Sequence, residues 1–114
     1  MFSVIICSRD NARFRIASEM YSGLLRDRAM QVVRVADARS LAEGYNRALR
    51  HSRGDIVLFS HDDVEILGTD FGSRLEAHLE RFDIVGVAGT TRLIHPKWSA
   101  AGMPYLFGQV AYPL

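Results

Sequence analysis

Two aspartates follow a histidine at positions 61–63, His61-Asp62-Asp63, directly after the apolar run IVLFS. Carboxylates at the end of such a run can hold a hard divalent cation whose other positions are filled by water and substrate oxygens. An imidazole is a poorer ligand for Mg²⁺ and an acceptable one for Mn²⁺. The competing reading makes Asp62 and Asp63 solvated loop residues or helix caps, and His61 is as readily structural as ligating. Two further polar groups, Ser8-Arg9-Asp10 and Asp37, also follow apolar runs. Other chemistries lack their residues. The stretch CSRDNAR has no Gly-rich phosphate loop and no GxGxxG, and no GxSxG elbow occurs. Cys7 is the sole cysteine, so an internal disulfide is excluded, and its apolar neighbours make it a small buried hydrophobe. One Cys and four separated His form no zinc pattern. His78 lies on a helical stripe and reads as a packing residue, and His95 precedes Pro96 in a loop.

These polar groups need a frame to bring them together, and the pattern between them supplies one. The run FSVIIC at 2–7 is continuous and β-branched, as a strand buried on both faces requires. Phe14, Ala17, Tyr21 and Leu24 then recur at helical spacing, with Gly23 inside the pattern. A second strand is expected over residues 31–35. Ser40 and Glu43 have the spacing of a capping box, and Leu41, Tyr45, Ala48 and Leu49 form the inner stripe of the helix that follows. Gly54 is positioned to end it. A third strand covers 56–60, and a third helix carries Phe71, Leu75, Leu79 and Phe82, with Asp70 as N-cap. A fourth strand is expected over 84–88, IVGVA.

Strand and helix alternate up to residue 89, which predicts an α/β fold with a mostly parallel sheet. Ligands of such sheets bind beyond the carboxyl ends of the strands, where the three polar groups fall. Residues 90–114 hold all three prolines and the only Trp, without a clear period, and 106–112 could form a further strand. The expectation is a single domain over 1–114, regular over 1–89 and irregular, with a truncated look, over 90–114.

Bulk properties bound the function. The 114 residues suit one small domain, and 48% hydrophobic with 24% charged residues is ordinary folded composition. Fourteen basic and thirteen acidic residues give a net charge of +1, no electrostatic reason to expect nucleic acid. No apolar stretch approaches the about 20 residues of a membrane span. The start, MFSVIICSRD, lacks a basic n-region and a cleavage site, so a cytoplasmic protein is expected.

The stretch 40–67, SLAEGYNRALRHSRGDIVLFSHDDVEIL, resembles the core of family 2 glycosyltransferases with the GT-A fold. Asn46, Gly54-Asp55, IVLFS and HDDV stand in that family's order, and SVIICSRDN is similar to its first strand and loop. The ending His-Asp-Asp-Val resembles more closely the StrF-type glycosyltransferase-like branch. The resemblance implies a three-layer GT-A/Rossmann-like nucleotide-diphospho-sugar transferase half-domain. It implies that Asp63, last in a DXD-like motif, ligates a divalent cation, Mn²⁺ or Mg²⁺, and that Asp62 lies beside the sugar or ribose. His61 departs from the motif's first aspartate and is either a second ligand or a hydrogen-bonding partner of the nucleotide. Ser8, Arg9, Asp37 and Asn46 line the nucleotide end by the same resemblance. Arg9 could instead pair with Asp10 or Asp37, Asp37 could be a plain turn residue, and Asn46 a plain helix contact.

The expected partners are a nucleotide-sugar donor and an unknown acceptor. Inverting transfer, which the resemblance implies, needs a general base. Glu65, Asp70, Glu76, Glu80 and Asp83 are the acidic residues that follow Asp63, and none sits in a base motif, so no catalytic residue is assigned. The alternative is a nucleotide-binding or regulatory module without turnover. A nucleotidyltransferase is disfavoured by the missing Gly-rich loop. Apolar surface near the end of the chain would drive self-association.

Overall fold

A computed structural model describes residues 1–112. The chain divides into two compact units, Met1–Arg74 and Leu75–Leu114. In the first, β1 (Phe2–Cys7), α1 (Asn11–Leu24), β2 (Met30–Val35), α2 (Leu41–Leu49) and β3 (Ile56–Ser60) alternate. The three strands form a parallel sheet in the order β2-β1-β3, with Cys7 opposite Val35 and Ile6 opposite Ser60. The chain therefore steps from β1 to one side and returns past it to the other. Right-handed crossovers in opposite directions put the two connecting helices on opposite faces.

Contacts agree with that geometry. On one face Ile5, Val35 and Ala48 form a cluster with Cys7, Val33, Ala38, Tyr45 and Val57 against it, so α2 lies here. Toward the other face α1 sends Tyr21 to Ser60 and sets Phe14 under the Arg34 guanidinium. Being covered on both faces explains why β1 reads as an unbroken apolar run. Val4, Ile5 and Ile6 are fully buried, each contributing about 1.5–3 kcal/mol relative to exposure.

Two helices begin at side-chain caps, of which only Ser40 was expected. The Asp10 carboxylate accepts the Arg13 N–H at 2.9 Å and starts α1. Ser40 Oγ accepts the Glu43 N–H at 3.1 Å, and Glu43 reaches back to the Arg39 N–H at 3.0 Å. The return bond thus goes to the residue before the cap. The inner stripe of α2 differs from expectation. Leu41 and Leu49 are 47% and 45% exposed, while Gly44 and Ala48 are buried. A Cβ on Gly44 would lie 2.7 Å from Cys7 Sγ and Ala38 Cβ, so the small residues set the approach and the leucines flank it.

Gly54 does not end α2, which stops at Leu49 with Arg50 still in right-handed helical geometry. Its reason is the strand beside it. A Cβ there would sit 2.6 Å from Met1 O and Ser3 N. The close approach lets Ser3, buried in a hydrophobic strand, accept the Gly54 N–H at 2.9 Å and donate to Gln31 Oε1 at 2.8 Å. Gln31 in turn donates to the His51 carbonyl at 3.0 Å.

Beyond β3 a loop returns to α1, where the Ile66 N–H meets Met20 Sδ at 3.3 Å. Helix α3 (Phe71–Leu79) follows, with the Asp70 carbonyl accepting the Arg74 N–H. Phe71 packs against Tyr21, and Phe82 lies past the helix end and is 53% exposed.

In the second unit the expected strand over 84–88 is not formed. Ile84 and Val87 are 89% and 78% exposed, and the run pairs with no strand among the described residues. An apolar run signals burial, but a strand also needs a ladder partner. The unit's pairing goes instead to β4 (Gly89–Thr90), antiparallel to β5 (Leu106–Phe107). The further strand expected over 106–112 thus shrinks to two residues. Gly108, at φ 86°, ends it where any Cβ would strike the Val87 carbonyl oxygen. Among the described residues no helix is long and apolar enough to cross a membrane.

Two outcomes are expected in urea unfolding. Gly54→Ala should cost about 1–3 kcal/mol by overpacking against backbone. Gly23→Ala, in a helix with open space around it, should gain about 0.5–1 kcal/mol. Equal effects at both sites would contradict the close approach at Gly54. The acid response is also set. The Asp10 and Glu43 carboxyls are held below their usual range, chiefly by backbone N–H groups of Arg13 and Arg39. A depressed folded pKa stabilises above the unfolded value, about 4 for carboxylates, and that contribution is lost as pH falls below it. Asp10→Asn keeps the cap acceptor and should flatten the loss of helical signal below about pH 4. An unchanged acid slope would contradict this role.

Candidate functional site

Where the chain reverses its direction across a parallel sheet, the loops diverge and leave a crevice at the carboxyl ends of the strands. In the order β2-β1-β3 that point lies between β1 and β3. Ser8 leaves β1 and Asp62 follows β3, and the Ser8 hydroxyl donates to Asp62 Oδ2 at 2.7 Å. Ser8 is 4% exposed and Asp62 half-buried. A cleft of about 220 Å³ opens beside this pair, lined by Cys7, Ser8, Arg9, Val35, Ala38, Ser40, Leu41 and Asp62. Its floor is apolar and its rim polar. Ser40 and Leu41 belong to the start of α2, where peptide dipoles favour negative charge.

Each rim residue has a cause. Ser8 is tied to β2 by its N–H, which donates to the Val35 carbonyl at 2.9 Å. Its own carbonyl accepts Arg34 Nε at 3.2 Å, while the same guanidinium donates to Asn11 Oδ1 at 2.8 Å. Arg9 crosses to the next loop and donates to the Ala38 carbonyl at 3.1 Å. The end of β3 is held from both faces. Tyr21 donates to Ser60 Oγ at 2.7 Å, Ser60 Oγ donates to the His61 carbonyl at 2.8 Å, and Tyr45 donates to the Ser60 carbonyl at 3.1 Å.

The structure brings Ser8, Arg9 and Asp62 to one cleft. Arg9 pairs with a carbonyl rather than with Asp10 or Asp37. Asp37 is turned to the outside, where Arg47 donates to Asp37 Oδ1 at 2.9 Å and to Glu43 Oε1 at 2.9 Å. That guanidinium draws the Asp37 carboxyl below its usual range. Asn46 is exposed on α2 and does not line the cleft. His61 and Asp63 are exposed beside Asp62 and also lie outside the lining. Among the described residues no three His, Cys, Asp or Glu side chains converge as a metal site.

Burial, and then the Glu43 charge, push the Cys7 thiol up, which makes it a slow nucleophile at neutral pH. Burial likewise raises the Tyr21 and Tyr45 hydroxyls, which keeps both as donors. Sequence reasoning treated these tyrosines only as stripe residues. The available signal was that a buried Tyr hydroxyl needs a partner, and β3 ends on a serine.

No curated protein and no solved structure matches the chain. The model of the glycosyltransferase-like family matches residues 3–112, nearly the whole sequence. With that match over nearly its whole length and a parallel α/β core, the chain belongs to the glycosyltransferase-like family.

Proposed function

We propose that the chain binds a nucleotide-diphospho-sugar at the Ser8–Asp62 cleft and transfers the sugar to an acceptor. The observation that carries this reading is the Ser8–Asp62 hydrogen bond at the strand reversal of a glycosyltransferase-family chain. Arg9 and the start of α2 offer positive potential to a diphosphate. Asp62 has one oxygen engaged by Ser8, which orients the other toward hydroxyls of ribose or sugar. The His-Asp-Asp-Val sequence supports membership of the StrF-type branch.

A divalent cation fits this donor set only in part. Asp63 and His61 are too few to hold one alone, and phosphate oxygens would complete the shell, a combination suited to Mn²⁺ or Mg²⁺. When bound, such an ion neutralises charge on the departing diphosphate. The residues of the chain hold the nucleotide, orient the sugar and keep the apolar floor dry.

Binding without turnover is the second reading. It is favoured by the cleft's single carboxylate, Asp62, which is already hydrogen-bonded and leaves no evident base there.

Calorimetric titration of UDP and GDP, with and without Mn²⁺, tests the donor site. One diphosphate should bind more tightly with Mn²⁺, and Asp63→Ala should weaken that binding at least about tenfold, or 1.4 kcal/mol. Absence of binding to either would remove the donor-site reading. Cys7 reports on location, because it is the only thiol and lines the cleft. A bound diphosphate should slow its alkylation, and an unchanged rate would move the binding elsewhere. Sugar transfer or hydrolysis with the matching nucleotide-sugar separates an enzyme from a binding module.

A further inference from the structure

Asp62 can meet Ser8 only if the chain leaves β3 at a defined angle. Ser60 is the last residue of that strand and is opposite Ile6 in the ladder. β3 is an edge strand, so a ladder neighbour restrains it on one side only. Two residues later the Asp62 carboxylate must fall within 2.7 Å of a buried hydroxyl. A small rotation at Ser60 is amplified over those two residues.

Hydroxyls from both connecting helices oppose such a rotation. From α1, Tyr21 donates to Ser60 Oγ, which passes its own hydrogen to the His61 carbonyl. From α2, Tyr45 donates to the Ser60 carbonyl and packs tilted against Phe59 with ring centroids 5.0 Å apart. The two restraints come from opposite faces of the sheet. A chain of hydrogen bonds of fixed direction is stiffer than its members taken separately.

We infer that Tyr45 is a positioning residue for Asp62, acting through the Ser60 carbonyl to set the angle at which residues 61–63 leave the sheet. The same helix supplies Ser40 and Leu41 to the cleft, so Tyr45 ties both walls to one rigid element. The effect on a ligand rests on the proposed nucleotide site, whereas the positioning of the loop does not.

The experiment compares wild type, Tyr45→Phe and Leu25→Val. The last is a control that weakens the core through Leu25, a fully buried residue outside the cleft lining. Backbone ¹⁵N relaxation is followed by NMR. In Tyr45→Phe the order parameters of residues 61–63 should fall from about 0.85 to below about 0.6, while those of β1 stay unchanged. Leu25→Val should not show that local pattern. Unchanged order parameters over 61–63 in Tyr45→Phe would overturn the inference. In parallel, the diphosphate that binds wild type should bind Tyr45→Phe about fivefold more weakly and Leu25→Val equally well, measured well below either melting temperature. Undiminished affinity in Tyr45→Phe would overturn the link to the site. If wild type binds neither UDP nor GDP, the nucleotide reading fails, and the relaxation data still decide whether Tyr45 positions the loop.

Discussion

β1 is paired along both edges and covered on both faces, and everything else in the first unit is measured from it. Because it occupies the middle of the sheet, the chain must reverse direction around it, and that reversal separates the β1 and β3 loops. The Ser8–Asp62 bond spans that separation, and the cleft lies on its β2 side, between the ends of β1 and β2 and the start of α2. The approach of α2 follows from the same constraint. Only a glycine at 44 and an alanine at 48 let the helix descend onto Cys7 and Val35, which brings its first turn to the rim.

Polar groups at that rim are held by neighbours rather than left to solvent. Ser8 has four partners from three segments: Val35 and Arg34 of β2, Asp10 of its own loop, and Asp62 beyond β3. Arg47, Asp37 and Glu43 absorb one another's charge on the outer side of α2. Exposed pairs of this kind contribute little to stability. Their effect here is local, since they fix the loop that Arg9 reaches. The cleft thereby presents a short set of oriented groups above an aliphatic floor.

The regular part of this fold was legible because each element satisfied two signals at once. β1, α1, α2 and β3 have both the right period and a cap or turn at the right place. The run 84–88 satisfied only one, since apolar β-branched residues state a preference for burial but do not name a ladder partner. Gly54 was misread because a glycine after a helix looks like a terminator, whereas its cause is a strand more than fifty residues earlier in the chain. The same distance rule governs the site. Ser8, Arg9 and Asp62 could be picked out as residues following strands, but the Tyr21–Ser60–Tyr45 arrangement joins three elements and has no local spelling. Asp37 was equally legible as a residue type, yet a guanidinium ten positions away decides where it points.

The buried Ser3–Gln31–Gly54 knot lies at the amino end of the sheet, and the Ser8–Asp62 pair lies at the carboxyl end. Both are polar, and the full length of β1 separates them. Changes at sites so far apart, with no shared partner, generally act additively. The sheet therefore has a keel and a working edge: the loops at the carboxyl end can drift in sequence and take on new ligands while the amino end keeps the strands in register.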